Sequence, residues 1–178
     1  ETELNYYGQN FEETIILIES FSGLSCLREV LGNYCVWAVG LGLEDMLSCF
    51  VHQAEELGIL VGNIRSEIAL LAAAAGVEAI DTISLDLSGG ESLRKEALLA
   101  RSAGMTAKFS IHPQQIASIK EVFSPRQESI ENAYRLHKSG HLHSASVGYL
   151  KLGNELLSPP KIKKLQHIHR FAIHHELS

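Results

Sequence analysis

Two carboxylates, Glu19 and Asp45, each stand just beyond a short apolar run. Glu19 follows Ile15-Ile16-Leu17-Ile18, and Asp45 closes the loop Gly42-Leu43-Glu44-Asp45 after the apolar stretch 36–41. Residues at the ends of neighbouring parallel strands meet on one rim, where α/β barrels gather their active groups. Two acids there, with water in the remaining positions, suit Mg2+, which takes oxygen ligands in octahedral geometry. The plainer alternative makes Glu19 a strand-end charge and Asp45 a helix N-cap. The same loop leads into a helix, whose first N–H groups can hold an anion such as a substrate carboxylate. Gly42, with no Cβ, allows close approach. Gly42, Leu43 and Glu44 are therefore candidate substrate-binding residues, with an ordinary βα turn as the alternative.

Further along, Ala107-Lys108-Phe109-Ser110-Ile111-His112-Pro113-Gln114-Gln115-Ile116 reads as a buried strand, a His-Pro turn and a helix start. The proline ring holds His112 extended, either to donate a hydrogen bond to substrate or merely to pin the strand end. Lys108, inside an apolar strand, must be paired or must snorkel to water. Asp81 and Asp86 flank the third apolar run and could serve the site, although one of them suits a loop or cap. The tail histidines His167, His169, His174 and His175 invite a metal reading. Positions 167 and 174 share a helix side while 169 points elsewhere, so a solvated terminal helix is the expectation.

The elements that must position these groups are legible as alternation. Apolar, nearly continuous runs at 14–18, 36–41, 77–83 and 107–111 predict strands covered on both faces. Helical patterns follow at 24–31, 45–57, 65–75 and 92–103, with Gly32, Gly58, Gly76 and Gly104 as expected C-terminal caps. Strand then helix, four times, calls for parallel strands joined by right-handed crossovers. Helices alone are predicted at 114–122, 125–137 and 160–174, with 139–158 as a linker or arm. Four βα units are half of an eight-stranded barrel, which usually takes about 250 residues. The fold class predicted is thus α/β, of the (β/α)8 TIM-barrel type. This chain supplies about the last four βα units (1–138), and 139–178 forms a C-terminal arm and helix. The chain opens on Glu1-Thr2-Glu3-Leu4 and is expected to be a segment of something longer, with two open sheet edges to be paired.

Bulk composition narrows the function classes. At 178 residues, 46% of them hydrophobic, the chain can build one domain with a sizeable core and is too short for two ordinary ones. A formal net charge of -6 argues against an electrostatic grip on nucleic acid. Cys26, Cys35 and Cys49 form no metal-spaced pair and no even disulfide set, so a reducing, cytoplasmic compartment is expected. No apolar run is read as approaching the roughly 20 residues that span a bilayer. No charged leader ahead of an apolar stretch is visible either. Neither membrane nor nucleic acid is an expected partner.

Taken together, these motifs resemble the C-terminal half of the citrate lyase beta-subunit and malyl-CoA lyase family, within the HpcH/HpaI aldolase superfamily. Ile18-Glu19-Ser20 with Gly23-Leu24 looks like the family's strand-five motif, and Gly42-Leu43-Glu44-Asp45-Met46 resembles its glycine-x-x-aspartate motif. The 26-residue separation of the two acids is also the family's. Arg65-Ser66 leading to Ala74-Ala75-Gly76-Val77-Glu78-Ala79-Ile80-Asp81 is similar to its seventh strand and the helix before it. Lys108 through Pro113 and Phe123-Ser124-Pro125 resemble its final strand and exit.

The resemblance implies Mg2+ on Glu19 and Asp45, with a keto acid carboxylate on the backbone of 43–45. It sets His112 and Pro113 toward an acyl-CoA or acyl-carrier thioester, and it implies a trimeric or hexameric homo-oligomer. The reaction implied is reversible Claisen-type cleavage of a 3-hydroxyacyl thioester, the metal polarising the keto acid carbonyl. Three departures stand out. The family's substrate-holding arginine comes from an N-terminal strand absent here, Ala107 replaces a usual glycine, and Ser158-Pro159-Pro160 offers a serine where an aspartate is usual. Two other readings accompany the lyase: a non-catalytic barrel that binds a CoA-like ligand or partner, and a pyruvate-type aldolase acting on free acids.

Overall fold

The computed structural model describes residues 14–54, 56–140, 148–153 and 155–174. Four parallel strands run in the order β1 (Ile15–Ile18), β2 (Ala38–Leu41), β3 (Glu78–Asp81) and β4 (Ala107–Lys108). Between them come helices α1 (Phe21–Asn33), α2 (Leu43–Leu47), α3 (Gly58–Ala75) and α4 (Glu91–Ser102). Helix α5 (Gln115–Phe123) follows β4. Chain order equals strand order, as consecutive βα units require, and the predicted α/β class with a parallel sheet is what the chain forms. Ile16, Ile18, Val39, Leu41 and Ala79 meet Leu24, Leu27, Ile64 and Ile68 in one core. Alternate strand residues turn the other way; Ile15 and Leu17 there are 45% and 48% exposed, so β1 is not covered on both faces.

Local chemistry explains where the elements start and stop. Ser20 caps α1 by accepting the Gly23 N–H at 3.1 Å, which starts the helix three residues earlier than apolar spacing alone predicts. Gly76 (φ 75°) and Gly104 (φ 98°) take the left-handed conformation that ends α3 and α4, as expected. Two expected caps are corrected: Gly32 lies inside α1, and Gly58 opens α3. The helix expected over 45–57 is also corrected to the five-residue α2 followed by loop. The Ser48 hydroxyl donates to the Asp45 carbonyl at 2.7 Å, competing with continuation of the helix.

Helix α3 therefore runs 18 residues unbroken, with a mean hydropathy of 1.4, and by length and composition alone it would suit a bilayer. The helix expected over 65–75 thus begins seven residues earlier, at Gly58. Its buried positions 61, 64, 65, 68, 69 and 72 recur at helical spacing and include Arg65, so one face lies on the sheet, while Ile59 and Leu70 on the same helix are exposed.

Contacts divide the chain into the compact units Glu1–Phe123 and Ser124–Ser178. The second unit holds α6 (Gln127–Lys138), a hairpin of β5 (Leu150–Leu152) and β6 (Glu155–Leu157), and α7 (Pro159–His174). The stretch expected to be irregular thus contains a hairpin, its turn opened by Gly153 at φ 62°. Ile130, Leu136, Leu157, Ile162 and Leu165 form this unit's own core.

Beneath the carboxyl ends of β3 and β4 lies a buried ion cluster. Asp81 is fully buried and accepts from Arg65 Nε (2.7 Å), Arg65 Nη2 (3.1 Å) and Lys108 Nζ (2.8 Å). Lys108 uses its remaining donors on Glu96 Oε1 (2.7 Å) and the Thr82 carbonyl (2.8 Å). An ammonium has three donors, and all three are satisfied. Two cations face two carboxylates, so α3, α4, β3 and β4 are tied together without net charge. Breaking such a cluster leaves an uncompensated buried charge. Asp81→Asn is expected to lower stability by about 3–5 kcal/mol in urea unfolding followed by circular dichroism. Lys108→Met, which leaves the Arg65–Asp81 pair, is expected to cost less; equal stability of Asp81→Asn and wild type would contradict the account.

Candidate functional site

Because Ile18 pairs with Leu41, the next residues, Glu19 and Gly42, leave the sheet side by side; the Gly42 N–H still donates to the Ile18 carbonyl at 2.9 Å. A cavity of about 310 Å³ opens there, walled by Glu19, Asp45 and the segment between Leu41 and Glu44, with Leu17, Thr82, Ile83 and Phe109. Glu19 and Asp45, predicted from opposite ends of a 26-residue separation, thus line one cavity. Both are exposed, and among the described residues neither carboxylate has a hydrogen-bond or ion-pair partner.

Glycine at 42 is required by contact, not conformation. Its φ is -97°, open to any residue, but a Cβ there would sit 2.5 Å from Glu19 Cγ. The Glu19 side chain therefore lies across the β2–α2 turn in space that only glycine leaves free. Gly40 makes room in the same way within β2, where a Cβ would meet the Phe109 ring at 2.7 Å and Leu17 at 2.9 Å.

Asp45 is the third residue of α2, and Gly42 is the N-cap, so the N-cap alternative for Asp45 does not hold. The Leu43 N–H, expected to face an anion, donates instead to Thr82 Oγ1 at 3.3 Å. Glu44 is exposed at the cavity wall. Among the described residues no group of three or more His, Cys, Asp or Glu is placed to hold a metal. The donor set is a pair of acids, which fits a cation habitually held by one or two carboxylates and water.

The other predicted residues lie outside the lining of this cavity. His112 is half-buried outside the lining of this cavity, its Nδ1 accepting the Gln114 N–H at 3.3 Å; exposed Pro113 follows in the turn. Asp86 is a loop residue. Its carboxyl is held below the usual range by hydrogen bonds from the Ser88 hydroxyl and N–H. His169 is buried, stacked on His137 at 4.5 Å and edge-on to Tyr134 at 5.2 Å, so it is core and not solvated; His167 is exposed. The His174 side chain and His175 lie outside the described residues.

Thr82, Ile83, Phe109 and Leu17 were not singled out from the sequence. Thr82 had a signal: it follows β3 as Glu19 follows β1 and Gly42 follows β2, one row across three strands. Gln115, fully buried, clasps the two loops beside this wall. Its Nε2 donates to the carbonyls of Ser84 and Asp86 (2.9 Å each), while its Oε1 accepts the Ile111 N–H at 3.0 Å.

The family model for HpcH/HpaI aldolase/citrate lyase matches residues 8–113, which carry the whole sheet and both acids. The chain belongs to this family. Citrate lyase subunit beta of Haemophilus influenzae is 28% identical over 149 residues, covering 83% of this chain and 51% of that protein. Mitochondrial citramalyl-CoA lyase of Homo sapiens is 32% identical over 132 residues, covering 72% and 38% respectively. A citrate lyase beta subunit from M. tuberculosis, solved with oxaloacetate and magnesium, superposes with a TM-score of 0.58 at 25% identity, over 70% of this chain and 57% of that one. This family member spans about half the length of such relatives, or less.

Gln115→Leu strips two carbonyls of their donor and one amide of its acceptor. It is expected to cost about 2 kcal/mol in urea unfolding and to speed hydrogen exchange at the Ile111 amide. Ser88→Ala is expected to raise the Asp86 pKa toward 3.8, read by carboxyl NMR titration. Because the folded-state pKa is lowered, whatever stability Asp86 contributes is present above that value and fades as pH falls through the lowered one.

Proposed function

We propose that the complete protein is a Mg2+-dependent carbon–carbon lyase that cleaves or condenses a 3-hydroxyacyl thioester of the citryl- or malyl-CoA kind. In this proposal the chain supplies the metal-binding half of a (β/α)8 barrel. The observation that carries the reading is the pair of carboxylates, Glu19 and Asp45, without partners among the described residues, on one cavity at the carboxyl ends of adjacent parallel strands. The magnesium and oxaloacetate in the M. tuberculosis relative and the lyase names of the curated relatives support it. The half-exposed apolar residues Ile15 and Leu17 support a sheet that continues into further strands.

Glu19 and Asp45 would hold the cation, which when bound acts as a Lewis acid on a keto acid carbonyl. Gly42 gives Glu19 its resting place, and Phe109 and Leu17 form an apolar floor that limits water around the acid. The backbone of 43–45 would face the acid's carboxylate through the N–H groups of Glu44 and Asp45, the Leu43 N–H being given to Thr82, whereas His112 and Pro113 would lie toward the thioester. A homo-oligomer, trimeric or hexameric, belongs to the same proposal. Exposed Tyr149, Leu156 and Ile173 support a contact surface on the second unit.

Glu19→Ala and Asp45→Ala remove exposed, unpaired groups and are expected to leave stability within about 0.5 kcal/mol while abolishing Mg2+ binding in calorimetry and metal-dependent turnover. Gly42→Ala, by displacing Glu19, is expected to weaken Mg2+ binding roughly 10-fold or more. Full Mg2+ affinity and turnover in both acid variants would defeat the proposal.

A further inference from the structure

We infer that the Thr82 hydroxyl is a ligand-contacting group of the cavity, donating its proton to an oxygen of the bound keto acid; this rests on the reading of the cavity just given. Thr82 is 5% exposed and lines the cavity wall in the row that carries Glu19 and Gly42. Its Oγ1 accepts the Leu43 N–H at 3.3 Å. A hydroxyl has one proton to give besides its lone pairs. Among the described residues nothing accepts the Thr82 proton. A nearly buried hydroxyl without an acceptor forfeits a hydrogen bond, and an acid oxygen in the cavity would supply one.

The residue is also held rigidly enough to act as a fixed donor. Lys108 Nζ donates to the Thr82 carbonyl at 2.8 Å, so the buried ion cluster sets the backbone from below. The Leu43 amide fixes the side chain from the α2 side. With the Leu43 N–H spent on Thr82, the hydroxyl presents the donor that this amide no longer offers. The ligand class is an anionic α-keto acid, whose carboxylate or carbonyl oxygen takes the proton.

Oxaloacetate with Mg2+ is the probe, used on the full chain in calorimetry. Thr82→Val keeps the shape and removes the donor. It is expected to weaken oxaloacetate roughly ten-fold, well beyond any loss of affinity for Mg2+ alone, and Thr82→Ser is expected to stay within about two-fold. Because the valine also strips the Leu43 amide of its acceptor, a second measurement uses the wild-type chain. The Thr82 methyl signal in methyl-labelled NMR is expected to shift with oxaloacetate plus Mg2+ and not with Mg2+ alone. Oxaloacetate binding equal to wild type in a folded Thr82→Val, or a methyl signal that ignores oxaloacetate, overturns the role of Thr82 alone. A wild-type chain that binds Mg2+ but no oxaloacetate overturns the cavity's acid-binding reading and this inference together.

Discussion

The ion cluster of Asp81 with Arg65, Lys108 and Glu96 is the constraint on which the rest of the first unit depends. Charged groups are rarely taken this far from water, because each loses its hydration. Here every donor of Lys108 is matched, and Asp81 receives three charge-assisted bonds. The geometry needed for that match fixes the helix carrying Arg65, the strand carrying Asp81 and the two-residue β4 in one relation. So short a strand has few ladder bonds, among them Thr106 N–H to the Ala79 carbonyl and Phe109 N–H to the Asp81 carbonyl, and the lysine side chain adds a tie to the end of β3.

From this cluster the constraint passes upward to the cavity. The Lys108 bond to the Thr82 carbonyl and the Leu43 bond to the Thr82 hydroxyl link the buried charges to the start of α2, and so to Asp45. Glu19 arrives by a separate route, through the β1–β2 register. Sheet pairing thus sets the backbone of one acid and a turn braced by the ion cluster sets the other, and the two meet at Gly42, across which the Glu19 side chain lies. Among the described residues that arrangement keeps both carboxylates free of protein partners, the condition under which they can bind a cation.

Absence of side chains matters as much as their presence. Gly40 and Gly42 sit in the same strand–turn, and each leaves room that a neighbour's side chain fills, Phe109 in one case and Glu19 in the other. Neither needs a positive φ. Each shapes the cavity wall by admitting that neighbour, so a methyl group at Gly40 would displace Phe109 or Leu17 and one at Gly42 would displace Glu19. Beside them, Gln115 spends its side-chain amide closing the loops after β3 and β4 on each other, which gives that wall a fixed shape.

The sequence by itself determined the βα alternation, the parallel α/β class, and the placement of Glu19 and Asp45 at strand ends, because these follow from local apolar runs and the residues that interrupt them. It also marked Lys108 as a charge needing a partner. Tertiary structure alone decided that the partner is Asp81, that Gly42 serves Glu19, that Thr82 takes the Leu43 amide, and that His169 belongs to a core. Each of these is a contact between residues far apart in the chain, or on elements with no periodic signature, and composition within a window carries no trace of it. The lengths of α2 and α3 were misread for a related reason. A serine hydroxyl competing for a carbonyl ends one helix, and burial against the sheet sustains the other.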